Sequence, residues 1–307
     1  MVDSGLPLQE IGLVLAVVGL TCLGLSFHRE KHVKLAPFGW VAFGLFFWIK
    51  TPHYAELMDP ILVLMCGASL PVSILIALQE RKIGESQSGY LIWSRGFVFW
   101  AALPYLLVSW VPYLSVAGVY LTAIQAVMFL KLCGIDEFNV GEAMVEFSDG
   151  RIIPFSEFSG SKILYLEPLG EGGFFVPIVL ADGTPAGVSM ILACSGLQSM
   201  IIFVGAIVAL TKSPLSDRIR ALLVTVPVIH ILNVFRNAGI IYLDMNFRDW
   251  NWLGIGMFDF AHSYAAKFGS LGAMFVMAIV LFELLPELHR NVLDLIDSVR
   301  RKRISAT

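Results

Sequence analysis

The sequence predicts an all-α polytopic membrane protein: about seven transmembrane helices, one further re-entrant or interfacial helix, and a small β-rich extracytoplasmic cap. Three observations carry that expectation. The 307 residues are 57% apolar and 15% charged, with a mean hydropathy of +0.77, whereas a soluble domain holds roughly 25% charged residues. Apolar stretches of the roughly 17–25 residues that a bilayer demands recur along the chain. Basic residues gather in clusters between those stretches, as the positive-inside rule requires of a multispan protein.

Taken in order, the spans fall at 8–27, 33–50, 60–79, 96–112, 189–210, 220–243 and 260–284. The first has no basic n-region and no clear small-residue cleavage site, so it reads as a retained span and not as a signal peptide. Residues 113–133 form an eighth apolar stretch, and charge decides how to read it. The basic groups are Arg29, Lys31 and Lys34; Arg81, Lys82 and Arg95; Lys212, Arg218 and Arg220; and Arg290 with Arg300, Arg301, Lys302 and Arg303. All four fall on one side only if 113–133 does not cross. It is therefore expected to be re-entrant or interfacial, bent at the headgroup level by Pro104 and Pro112 beside Trp110 and Tyr113. The N-terminus is then outside and the basic tail 286–307 cytoplasmic.

Residues 134–188 form the long outer insertion. Two hairpin signals mark it as β-rich: Ser148-Asp149-Gly150 and Ala181-Asp182-Gly183, each between apolar runs. Asp136, Glu137, Glu142, Glu146, Glu157, Glu167 and Glu171 make it acidic and water-facing. Without repeats or linkers, residues 1–307 read as a single membrane domain. A net charge of -3 without a basic stripe argues against nucleic acid. Cys22, Cys66, Cys133 and Cys194 show no C-x-x-C pair and no metal-ligand spacing. With no nucleotide loop either, neither a cofactor nor a metal is expected.

Polar groups inside a bilayer are costly, so each asks for a reason. Cys194 lies near the outer start of one predicted span, and His262 at the outer start of the last. Arg236 lies sixteen residues beyond Arg220, a rise of about 24 Å at roughly 1.5 Å per residue. The topology that satisfies the charge clusters thus sets all three at one depth. A thiol beside a cation is a workable nucleophile, because the cation favours the thiolate. His262 can serve as base, or as acid for a leaving amine, and Arg236 can hold a developing oxyanion. Asp259, three residues before His262, can fix its tautomer. By the same spacing, Asn233 and Gln198 support Arg236 and Cys194.

Each of these residues also has a plainer reading. A cysteine in an apolar helix ordinarily packs as a small hydrophobe, and an Arg, His or Lys267 near a helix end snorkels to headgroups. His230 reads as a hydrogen-bonding interior histidine. Asp244, Arg248 and Asp249 read as a solvated loop, and Ser195 lacks the context of a serine nucleophile.

The three segments ACSGLQSMIIFVGAIVAL, RALLVTVPVIHILNVFRNAGIIYL and FDFAHSYAAKFGSL, in that order, resemble the exosortase/archaeosortase family, and within it the archaeosortase branch. The likeness is strong over roughly 189–285 and rests on the multispan pattern before that. It implies a membrane-embedded cysteine transpeptidase acting on secreted or surface-layer proteins. Their C-terminal signal would hold a Pro-Gly-Phe motif, an apolar helix and a basic tail, and a membrane lipid would be the acceptor. Carried over by motif, the nucleophile falls on Cys194 and the catalytic arginine on Arg236. The third position falls on His262, where family members carry either His or Arg. The substrate's tail helix would dock through small residues such as Gly205, Ala206 and Ala209. Two other classes compete: a small-solute or lipid transporter with a relay through Arg236, His262 and Lys267, and a non-catalytic assembly subunit.

Overall fold

The computed structural model describes residues 5–56, 60–83, 88–167, 169–252 and 254–304. It is mostly helical, and its contacts divide the chain into two compact units. One takes Met1–Leu103, Val204–Arg218 and Leu285–Thr307, the other Pro104–Phe203 and Ile219–Leu284.

In chain order the helices of the first half are α1 (Gly5–His28), α2 (Ala36–Trp48), α3 (Thr51–Glu56), α4 (Pro60–Ile83), α5 (Gly89–Trp110) and α6 (Pro112–Leu132). After the strands follow α7 (Leu197–Val208), α8 (Leu215–Asn246), the single turn α9 (Met257–Asp259), α10 (Ala266–Leu284) and α11 (Pro286–Ile304). Among the described residues, seven helical segments are long and apolar enough to cross a membrane. That is the expected number for a multi-pass protein, but its membership differs from the prediction. Pro112–Leu132 qualifies, whereas the stretch predicted as one span over 189–210 divides into strand, 3-10 turn and the 12-residue α7. The cause is a change of period. From Pro185 to Ile191 the buried positions Ala186, Val188 and Met190 alternate, which is strand periodicity. The extreme tail, 305–307, lies outside the described residues, and 286–304 forms helix α11.

In the first unit α2 packs between α1 and α4 on small residues. A Cβ on Gly44 would lie 2.6 Å from the Cβ of Ser73, and one on Gly19 would lie 3.0 Å from the backbone of Phe43. Arg95 is 1% exposed and forms a bidentate pair with Glu80, both contacts at 2.8 Å. Its third nitrogen donates to the Ser26 carbonyl, and the Trp40 indole donates to Glu80. Four helices thereby satisfy one buried ion pair, and Arg95 is removed from the free charges counted for topology. Gly205, Ala206 and Ala209 do not offer a free docking face. A Cβ on Gly205 would meet the Ala101 backbone at 2.8 Å, and Ala206 and Ala209 are buried. Gly205 is small because α5 presses on it.

The second unit holds the sheet of β1 (Phe138–Val140), β2 (Met144–Phe147), β3 (Ile152–Pro154), β4 (Leu169–Leu180) and β5 (Pro185–Ile191). It is antiparallel around the long β4: β5 runs along one side, β1 and β2 share the other, and β3 lies outside β2. Both predicted hairpins are present, with Gly150 and Gly183 at φ 82° and 84°, a region glycine enters without a Cβ penalty. Phe138, Val176, Ile178, Val188 and Met190 pack on one stripe of α6: Val119, Ala123, Ala126, Val127 and Leu130. The opposite stripe of α6 (Leu114, Leu121, Ile124, Met128 and Leu132) is exposed and apolar. Both ends of α6 touch the insertion. Tyr113 N–H donates to Lys162 and Tyr165 N–H to Trp110 at one end, and Lys131 Nζ donates to Asn139 at the other.

Candidate functional site

The site grows from the end of β5. The chain leaves the strand through a 3-10 turn, Leu192–Ser195, and reverses at Gly196 (φ 71°) to start α7. Only glycine fits there. A Cβ at 196 would need the left-handed region and would lie 2.7 Å from Asn233 Cγ. The Ser195 hydroxyl donates to the Leu192 carbonyl and accepts from the Leu197 N–H, so it caps the turn. Its neighbour Cys194 is 9% exposed.

Helix α8 holds this turn in place. Asn233 and Asn237, one helical turn apart on the same face, each donate a side-chain N–H to the Cys194 carbonyl at 2.8 Å. Asn237 also accepts from Arg236 at 3.4 Å. A single carboxamide thus joins the backbone of the cysteine to the guanidinium. Arg236 acts electrostatically on both Cys194 and His262.

Cys194 precedes α7 and lies outside the candidate spans. Burial pushes its thiol above the ordinary range, outweighing the Ile191 backbone amide and the Arg236 charge, which pull it down. The resting group is a thiol, and Arg236 is the neighbouring charge that favours its ionisation.

His262 lies in a π-helical segment, Phe260–Ala265, between α9 and α10, and its ring stacks on Phe258 with centroids 5.4 Å apart. Wide turns of this kind concentrate at functional sites. Arg236, Lys267 and Asp259 are the charges that act on the imidazole. Among the described residues no hydrogen bond joins His262 to Cys194 or to Asp259. Gln198, expected beside the thiol, donates to the Tyr105 hydroxyl instead.

The structure therefore brings Cys194, Asn233 and Arg236 together and places His262 within the field of Arg236. Asn237 is the member of this cluster that the sequence does not single out. The Asn-x-x-x-Asn spacing on one face of α8 was the available signal for Asn237. A cavity of about 390 Å³ opens beside this cluster, with Gly196, Asn233, Arg236 and Ala261 in its wall. Among the described residues no group of three His, Cys, Asp or Glu side chains could hold a metal ion.

Comparison with known proteins agrees with this architecture. The family model described as transmembrane exosortase matches residues 7–282. A curated relative, archaeosortase A of Haloferax volcanii, is 34% identical over 71 residues, which is 23% of this chain and 23% of the relative. The match thus spans about a quarter of that protein's length. No solved structure matches the chain. With most of its length covered by the family model, the chain belongs to the transmembrane exosortase family.

Proposed function

We propose that this protein is a membrane cysteine transpeptidase that cleaves C-terminal sorting signals from exported proteins and passes the new C-terminus to an acceptor. The observation that supports this best is the Asn237 bridge, which ties the Cys194 backbone to Arg236 at the edge of a cavity.

In the first half-reaction Cys194 gives its proton to His262, and the thiolate attacks the scissile carbonyl carbon. Arg236 stabilises the oxyanion as it forms. The C–N bond breaks, the leaving amine takes the proton from His262, and a thioester remains. In the second half-reaction the amine or hydroxyl of a lipid headgroup, or water, attacks that thioester. Its proton passes by way of His262 to the departing sulfur.

The sidedness follows from the same reading. Helix α6, covered by the polar insertion at both ends, lies along the extracytoplasmic surface with its exposed apolar stripe in the headgroup region. On this reading the short α7 carries the chain back across the membrane, so that the four basic clusters share the cytoplasmic face, and Cys194 opens near the outer rim. The substrate motif would be of the Pro-Gly-Phe kind.

Expression of the Cys194→Ala chain with a protein carrying such a signal tests the proposal, followed by mass spectrometry of the substrate's C-terminus. Wild type should yield a shortened, acceptor-linked product and the variant only the full-length precursor. Normal processing by Cys194→Ala would end the reading.

A further inference from the structure

The cavity beside the cysteine does not stop at the site. It runs along α8 and α10, from Leu243 and Ala261 at one end to Ile229 and Met277 at the other, with Gly196 and Arg236 in the wall between. On α10 its wall runs through Ala266, Gly269, Ser270, Ala273, Met274 and Met277, one face at intervals of three and four. The other faces of α10 carry exposed bulky residues: Phe268, Leu271, Phe275, Val276 and Ile279. Across the groove, α8 contributes Gly239.

Nothing presses on the two helical glycines of the groove. A Cβ added at Gly239 or Gly269 would meet no atom within 4 Å. This is the opposite of Gly205, whose smallness is used up by α5. A bulky apolar face is what acyl chains solvate well. An unfilled small-residue face allows another helix to approach closely.

Both walls lie within candidate spans, so the occupant must be apolar and must satisfy its own backbone hydrogen bonds, which in lipid means an α-helix. The groove's wall includes Gly196, two residues from the group that would attack a peptide bond. We infer that the groove between α8 and α10 receives the apolar membrane-spanning helix of the substrate. That helix would be continuous with the segment bearing the scissile bond and would hold this bond beside Cys194. The inference rests on the transpeptidase reading and adds where the substrate docks.

The test is disulfide crosslinking in the Cys194→Ala chain, so that docking is read without turnover. Gly269→Cys lines the groove, Phe275→Cys on the bulky face is the control, and the parent with its remaining cysteines sets the background. The substrate carries a single cysteine moved stepwise along its apolar helix. Gly269→Cys should crosslink to substrate positions recurring every three or four residues, and Phe275→Cys should not. Adducts at background level, equal yields at both positions, or only a dimer of the enzyme would overturn the inference. In the chain that keeps Cys194, Gly269→Leu and Ala273→Leu should lose processing of the helix-anchored substrate while Cys194 stays open to a small alkylating reagent. Unchanged processing would also overturn it. If Cys194→Ala processed its substrate normally, the transpeptidase reading would fall while the crosslinks could still stand, so the two failures are distinguishable.

Discussion

A buried carbonyl that accepts two side-chain amides holds its residue in place more firmly than packing alone. Losing one partner of such a set costs about 1–3 kcal/mol when the other group stays buried. Asn237 does this for Cys194 and also steadies Arg236. Asn237→Ala should therefore lower the processing rate by about tenfold or more with insertion and abundance unchanged, measured as substrate conversion in membranes. Gly196→Ala should be worse, since it adds left-handed strain of about 1–2 kcal/mol to a collision with Asn233. Removing the charge in Arg236→Gln takes away an influence that lowers the thiol pKa. Less thiolate should exist at a given pH, and alkylation of Cys194 should need more alkaline solution than in wild type. At this scale the candidate residues Cys194, Arg236 and His262 are legible in the sequence, because they stand out as polar groups in apolar runs. Asn237 did not, because its role is to bond a main-chain oxygen, and the motif of a remote residue does not reveal which backbone atom will face it.

Helix α6 shows how composition can leave an element's placement open. Its length fits a span, yet one stripe is covered by a sheet and both ends are held by the insertion. If it lies on the surface, the exposed Cys133 and a cysteine replacing Lys162 should react with a membrane-impermeant thiol reagent from the same side of sealed vesicles. Labelling from opposite sides would show that the helix crosses. Hydropathy alone could not separate these cases, because both faces of α6 are apolar: one against protein, one free. The hairpins at Gly150 and Gly183 were readable because turn chemistry is local. The end of β5 was not, because its alternation merges into the apolar run of α7. Another element, α11, is tied down by Glu287, which accepts from the Thr211, Lys212 and Ser213 amides and the Ser213 hydroxyl. Burial raises its pKa, but these donors outweigh burial and hold the carboxylate below its ordinary range. A depressed carboxyl pKa means stability that is present above the unfolded value, about 4.3, and lost as pH falls through the folded one. Thermal unfolding in detergent should show that acid loss in wild type and lack it in Glu287→Gln.

For the whole molecule, the pair Arg95–Glu80 is the feature on which four helices converge. Breaking a buried pair from one side typically costs about 3–5 kcal/mol, while replacing both partners with apolar residues of like volume is often neutral. Arg95→Leu and Glu80→Leu should each lower the unfolding temperature sharply, and the double variant should recover most of the loss. Sequence reading placed Arg95 among the topology-setting cations because it sees charges one at a time, whereas pairing over fifteen residues between neighbouring helices is a property of packing. The pairing also bears on how the protein sits in an energised membrane. A lone guanidinium at depth would feel the transmembrane voltage, worth about 2.3 kcal/mol per elementary charge for each 100 mV crossed. Locked to its carboxylate, Arg95 presents the field with a dipole of no net charge. The helix junction it anchors should then keep the same geometry whether the cell is polarised or not.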